Sequence, residues 1–183
     1  MRAAVVLLCC VLAVASGQAL AGTAASRACT PTLEETEGPY YKAGSPLRGV
    51  LAPPGTAGTR LVVTGVVLGP RCKPVPHAWL DFWQADANGA YDNAGYRLRG
   101  HQFANAAGRY RLVTVVPGLY PGRTRHIHVK VRAPGGPVLT SQLYFPGTQE
   151  NDADGIFDPS LVLKNVRKAH GRVTATFTFV VPS

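Results

Sequence analysis

The segment "GRVTATFTFVV" (171–181) places Val173, Ala175, Phe177 and Phe179 on one side of an extended chain and threonines on the other. Side chains two apart share a face of a strand, so this alternation describes a strand with one buried face. Five more segments have alternating or β-branched character and are bounded by Gly, Pro or Asn: 60–68, 77–84, 108–116, 124–132 and 138–145. Short strands punctuated this regularly predict an all-β sandwich or barrel rather than a helical or α/β chain. One stretch, "DPSLVLKNVRKA" (158–169), reads as a short helix or a loop. No repeat or interior linker is evident. The expectation is a single-domain β-sandwich with long loops, its core over 59–183. Residues 22–58 are rich in Pro, Gly, Thr and Ala without helical periodicity, which predicts an extended N-terminal arm.

Residues 1–21 read as a signal peptide. Arg2 precedes an apolar run, and Ala19-Leu20-Ala21 is a small-x-small cleavage site before Gly22. The run is short for a membrane span, which needs about 20 residues; a retained anchor is the alternative reading. Export to the periplasm or the exterior follows, with cleavage after Ala21 and no stable membrane association afterwards. Cys9 and Cys10 leave with the segment, so Cys29 and Cys72 remain. In an oxidising compartment they predict one disulfide, two buried thiols being the alternative. The formal charge is +9, or +8 without Arg2. No basic run or nucleic-acid motif accompanies that surplus, so nucleic acid is not an expected partner.

The chemistry concentrates in "GRTRHIHVKVR" (122–132). His126 and His128 project from one strand face about 6.6 Å apart, close enough to converge on one ion, while Ile127 turns into the core. By itself a His-x-His pair is as consistent with surface or core histidines, and no carboxylate of a facial triad flanks it. Two tyrosines add weight. Tyr91 follows the Asn-Gly of "WQADANGAYDN", and Tyr120 lies in a Pro-Gly loop six residues before the pair. Phenolates are hard anionic ligands suited to ferric iron, and an anion-rich site would accommodate the arginines around it. His77, His101 and His170 read as solvated loop histidines.

Taken together, "LDFWQADANGAY", "GRYRLVTVVPGLY", "RTRHIHV" and "LTSQLYFPG", preceded by "TEGPYY" (36–41), resemble the intradiol ring-cleaving catechol dioxygenases, close to the protocatechuate 3,4-dioxygenase group. The resemblance runs from about Thr36 to Phe145. It implies a non-haem Fe(III) cofactor held by Tyr91, Tyr120, His126 and His128, with Tyr91 and His128 matching the equatorial pair and Tyr120 and His126 the axial pair. It implies that Arg123 stands against the substrate, that Gln142 polarises the bound diol, that Tyr120 takes a diol proton, and that Tyr40 lines the pocket mouth. The implied reaction opens a catechol between its two hydroxylated carbons with O2, giving a cis,cis-muconate. Catechol, protocatechuate and related lignin or plant aromatics are the implied substrates.

The export signal matches a secreted branch of that family. A counterpart of the N-terminal helical dimerisation region of the catechol and hydroxyquinol branches is not seen, which leaves self-association open. Arg97, Arg99, Arg109, Arg111, Arg125, Lys130 and Arg132 lie near the ligand segments. Arg125 is expected at the surface, and Arg97 or Arg99 near the pocket, so a carboxylated catechol is expected to be tolerated. The competing reading is a binding module on the same sandwich, either catalytically inactive or holding copper or zinc on His126 and His128.

Overall fold

A computed structural model of the chain describes residues 28–182. The predicted signal segment lies outside the described residues. Nine strands form two sheets: β1 (Arg60–Leu68), β2 (Trp79–Trp83), β3 (Arg99–Phe103), β4 (Arg109–Val115), β5 (His126–Arg132), β6 (Leu139–Tyr144), β7 (Lys164–Ala169), β8 (Arg172–Thr176) and β9 (Phe179–Val180). One sheet runs β4-β1-β8-β7 with β9 also on β1; the other runs β3-β2-β5-β6. The fold is the expected all-β sandwich. No helix among the described residues is long and apolar enough to cross a membrane.

The inward faces follow the period of two. Leu61 and Val63 of β1 meet Leu80 and Phe82 of β2, Ile127, Val129 and Val131 of β5 and Leu143 of β6, all fully buried. Each such side chain contributes about 1.5–3 kcal/mol on leaving water. On β5 that parity sends His126 and His128 to the outer face of the second sheet, away from the core. Register then assembles a row across that face, with Arg99 opposite Trp83, Trp83 opposite His128, and His128 opposite Gln142.

The N-terminal arm covers this outer face. Glu35 N donates to Thr140 O on β6 (2.9 Å), and Ser141 Oγ donates to Leu33 O (2.8 Å). Further along, the Tyr41 ring meets Trp83 edge-on at 4.8 Å, and Ser45 Oγ donates to the buried carboxylate of Asp81 (2.7 Å).

Three segments differ from expectation. Residues 158–169 contain no α-helix: Pro159–Leu161 is a single 3-10 turn, with Ser160 N bonded to the Asp158 side chain, and Lys164–Ala169 is strand β7. The turn His170-Gly171, with φ of 50° and 71°, closes β7 onto β8; two adjacent positive φ values are the type I′ geometry whose twist suits a hairpin. β3 carries His101, which is no loop histidine, since its Nδ1 donates to Ser45 O at 2.7 Å. The long last segment is interrupted at Phe177, whose carbonyl accepts the Tyr110 hydroxyl (2.9 Å) before β9 begins.

Cys29 and Cys72 are bonded, with Cα atoms 5.2 Å apart, and anchor the start of the arm to the loop after β1. The closed loop has a sequence separation of 43, for which chain entropy gives roughly 4 kcal/mol. A double Cys29→Ser, Cys72→Ser chain should lose about 2–4 kcal/mol of unfolding free energy in urea. Coincident curves for wild type and variant would show that the bond does not constrain the chain.

Candidate metal centre

Two loops must meet for Tyr91 and Tyr120 to approach the histidines, and local sequence explains how they do. At the end of β2 the buried Gln84 accepts from Thr114 Oγ (2.8 Å) and donates to Val115 O (2.9 Å), tying this loop to the other sheet. The Asp86 carboxylate next accepts Asn88 N and Ala90 N (2.9 and 3.0 Å), winding the "DANGA" turn. Asp86 O then accepts Gly118 N from the Tyr120 loop at 2.7 Å. At the crossing both residues are glycine. A Cβ on Gly89 (φ +86°) would lie 2.0 Å from Leu119 O, and one on Gly118 would lie 2.4 Å from Gly89 N. Only paired glycines let the two backbones come this close.

The result is a cluster of four donors. His126 Nε2 stands 3.0 Å from His128 Nε2 and 3.2 Å from Tyr120 Oη, and the Tyr91 ring is 5.8 Å from that of Tyr120. The Tyr91 hydroxyl is buried and has no hydrogen-bond partner among the described residues. His126 Nδ1 lies 2.6 Å from Thr124 O. A carbonyl only accepts, so Nδ1 carries the proton and Nε2 of the neutral ring presents its lone pair to the cluster. The flat face of His128 is stacked on Trp83 (4.9 Å, 4°).

Burial keeps the whole set neutral. It lowers the His126 pKa to about 4, with the Thr124 carbonyl opposing. His128 is pushed well below its usual range, first by burial and then by His126 and the arginines. The Tyr91 phenol is raised by burial and by Tyr120. Burial also raises Tyr120, with Arg123 pulling the other way.

These residues fit a ferric ion. Donors that share one ion with bonds of about 2.1 Å lie about 3–4 Å apart, and His126 Nε2 is within that range of both His128 Nε2 and Tyr120 Oη. Two phenols and two neutral imidazoles supply hard oxygen and borderline nitrogen, and an orphaned buried phenol is what a missing cation leaves behind. Among the described residues no three His, Cys, Asp or Glu side chains gather, so the tyrosines are the further donor side chains beside the histidine pair.

Arg123 faces the cluster and is held from three sides. Its Nε donates to Asp154 Oδ2 (3.0 Å), Nη2 to Gln142 Oε1 (2.7 Å) and Nη1 to Tyr120 Oη (3.4 Å). Gln142 also donates from Nε2 to Thr36 O of the arm (3.0 Å), so it positions Arg123 and joins the arm to the site. Tyr40 lies over the donors, stacked on Tyr91 at 4.3 Å and edge-on to Tyr120 at 6.0 Å. A cavity of about 400 Å³ opens beside Tyr120 and Arg123.

Sequence reading did not single out Asp154, Asn151 or Gly38. Asp154 accepts Thr124 N (2.8 Å) as well as Arg123, and Asn151 Oδ1 accepts Thr124 Oγ1 (2.6 Å). Gly38 (φ +70°) rests on the ligand face, where a Cβ would be 3.2 Å from His128 Cε1. Its place in "TEGPYY" was the available signal; nothing in the sequence connects Asp154 to Arg123. The arginines expected near the pocket are otherwise engaged. Arg99 is buried and donates to Tyr40 O and Asp92 O, and the exposed Arg97 pairs with Asp86 at 3.0 Å.

The comparisons with known proteins agree with this geometry. The profile of the family described as Dioxygenase matches residues 36–180. The chain is 29% identical over 171 residues to the 6-chlorohydroxyquinol 1,2-dioxygenase of Cupriavidus pinatubonensis, an alignment covering 79% of this chain and 62% of that one. It is 36% identical over 118 residues to the protocatechuate 3,4-dioxygenase beta chain of Burkholderia cepacia, covering 55% and 50%. Among solved structures, the dioxygenase domain of a dioxygenase and carbohydrate-binding protein fusion from Streptomyces sp. SirexAA-E superposes with a TM-score of 0.82 at 55% identity. That match covers 84% of this chain and 99% of that domain. The chain belongs to the intradiol ring-cleavage dioxygenase family. It spans between half and two thirds of the length of those two curated relatives.

The Asp154 carboxyl is held below its usual range by the Thr124 and Ile156 amides and by Arg123, against the opposing effect of burial. A depressed folded pKa contributes stability that is fully present above the unfolded value of about 3.9 and is lost as pH falls through the folded value. Asp154→Asn should therefore be less stable than wild type by about 2 kcal/mol at pH 6, with the gap closing as pH falls below the unfolded value of about 3.9. A gap that stays constant in urea titrations across this range would remove Asp154 from the acid response.

Proposed function

We propose that the chain is a ferric-iron intradiol dioxygenase that opens a catechol between its two hydroxylated carbons, both atoms of O2 ending in the two carboxyl groups of a cis,cis-muconate. The observation that carries this reading is the convergence of Tyr91, Tyr120, His126 and His128 beside a guanidinium fixed by Asp154 and Gln142. Membership of the family supports it. Ferric iron on these four residues would supply Lewis acidity toward the diol and a phenolate absorption in the visible range.

The chain's own groups have separable tasks. Tyr120 borders both the cavity and Arg123, so its phenolate is placed to take a diol proton while the guanidinium balances its charge. Arg123 is preorganised by its partners to face negative charge growing on a substrate oxygen, worth on the order of 3 kcal/mol. Gln142 acts through Arg123, and Tyr40 walls the donors against water.

Mature protein reconstituted with ferric iron should be coloured, should shift to longer wavelength on anaerobic catechol, and should bleach in air as muconate forms. Arg123→Gln should keep the colour and lose about 10²-fold in kcat. A colourless protein after reconstitution would sink the ferric reading and leave the copper- or zinc-binding module in its place.

We also propose that the chain is exported after cleavage following Ala21, a reading supported by the Cys29–Cys72 bond, since disulfides persist in oxidising compartments. The mature N-terminus should then be Gly22. Edman sequencing of protein from a secreting host that returned Met1 would refute it.

A further inference from the structure

A second cavity, of about 460 Å³, lies between the segments that follow β4 and β6 and the strands β7 and β8. Val116 and Val173 of the first sheet side, Phe145 after β6, and the part-exposed Val166 and Leu119 give it apolar walls. Its charged members are Arg125 and Glu150. The sequence places Arg125 opposite the histidines, and the structure sets its half-buried side chain in the wall of this cavity.

Arg125 is distinctive among the arginines. Among the described residues five arginines are at least partly buried: Arg48, Arg60, Arg99, Arg123 and Arg125. The first four donate to named oxygens at Arg99 and Tyr96, at Ala52, at Tyr40 and Asp92, and at Asp154 and Gln142. Arg125 has no hydrogen bond or ion pair among the described residues, and its Nε is buried without a partner. Glu150 is exposed at the cavity and is not paired with it. A guanidinium cannot shed its charge, and a buried donor without an acceptor is unfavourable, so such an arrangement calls for an acceptor from elsewhere.

We propose that this cavity is a binding site for a small apolar carboxylate of about one aromatic ring, its carboxylate on Arg125 and its body against Val116, Phe145 and Val173. A planar guanidinium matches a carboxylate with two parallel hydrogen bonds, and the walls take up the hydrocarbon. The volume falls in the range typical of small-ligand sites. This site is separate from the donor cluster, although Leu119 and Glu150 also line the cavity beside Tyr120. The proposal needs no bound metal.

Isothermal titration of the metal-free protein at pH 7 tests it, with 3-phenylpropanoate as the probe and 3-phenylpropanamide as its uncharged counterpart. The acid should bind about tenfold or more tightly than the amide, reflecting a charge-assisted pair. Arg125→Gln should abolish that preference, and Glu150→Gln should strengthen acid binding by removing a like charge from the wall. Val166→Glu, at an exposed position, should also weaken the acid, and it decides the matter if Arg125→Gln does not fold. Equal affinity for acid and amide, no binding of either at millimolar concentration, or acid binding untouched in Val166→Glu and in folded Arg125→Gln would each overturn the proposal.

Discussion

The site depends on the close crossing of two loop backbones at Gly89 and Gly118. Neither tyrosine lies on a strand, so register alone cannot place them, and each comes from a loop that leaves a different sheet. Their meeting is fixed by the Gly118 N–H donated to Asp86 O and by the missing Cβ atoms at both glycines. The Asp86 turn makes this contact possible, because it curls the first loop tightly enough to present that carbonyl. A side chain at either glycine would have to displace backbone, and the phenols would part before the sandwich core felt the change.

The histidines are positioned by a different physics. Alternation on β5 is enforced by burial of Ile127, Val129 and Val131 in the core, and a shift by one residue would turn the histidines into that apolar core and three aliphatic side chains onto the outer face. Core packing therefore sets the spacing of the two imidazoles. Rigid strands supply two donors and loops supply two. Neutrality of all four follows from burial, and Arg123 and Arg99 disfavour protonated imidazoles while favouring phenolates. Two phenolates would offset two of the charges of a trivalent cation, and the Arg123 guanidinium is already paired with Asp154, so a basic surrounding need not exclude a cation.

What could be read from the sequence follows the range of the interactions. The period of two and the parity of His126 and His128 are local, and both survive in the structure. Strand β3 ("RGHQF") escaped notice because its inward positions, opposite Phe82 and Leu80, are Gly100 and Gln102, so no apolar period marks it. β7 escaped for a related reason: every residue of "KNVRKA" is exposed, so no buried face imposed a period, and its Lys, Arg and Ala suit a helix equally well. The two-residue turn at His170-Gly171 was the better guide. Asp154 was invisible because it lies 31 residues from Arg123 and only the folded loop joins them.

The arm gains its importance from the face the ligands occupy. In a two-layer sandwich the outer face of a sheet normally meets water, and His126 and His128 are necessarily on that face. Without cover their imidazoles would be hydrated and titrate in the ordinary range, and the phenols would lose the burial that distinguishes them. Thr36, Gly38, Tyr40, Tyr41 and Ser45 act as a third layer, closing over Gln142, His128, Tyr91, Trp83 and Asp81 in turn. An irregular segment has little cooperativity of its own, so its hold on the sheets depends on scattered backbone bonds such as Glu35 N to Thr140 O, on side-chain contacts and on the covalent anchor at Cys29. The disulfide lies far from the donors, yet it reduces the freedom of the segment that keeps them dry, and through that segment the stability of the arm and the chemistry of the site are coupled.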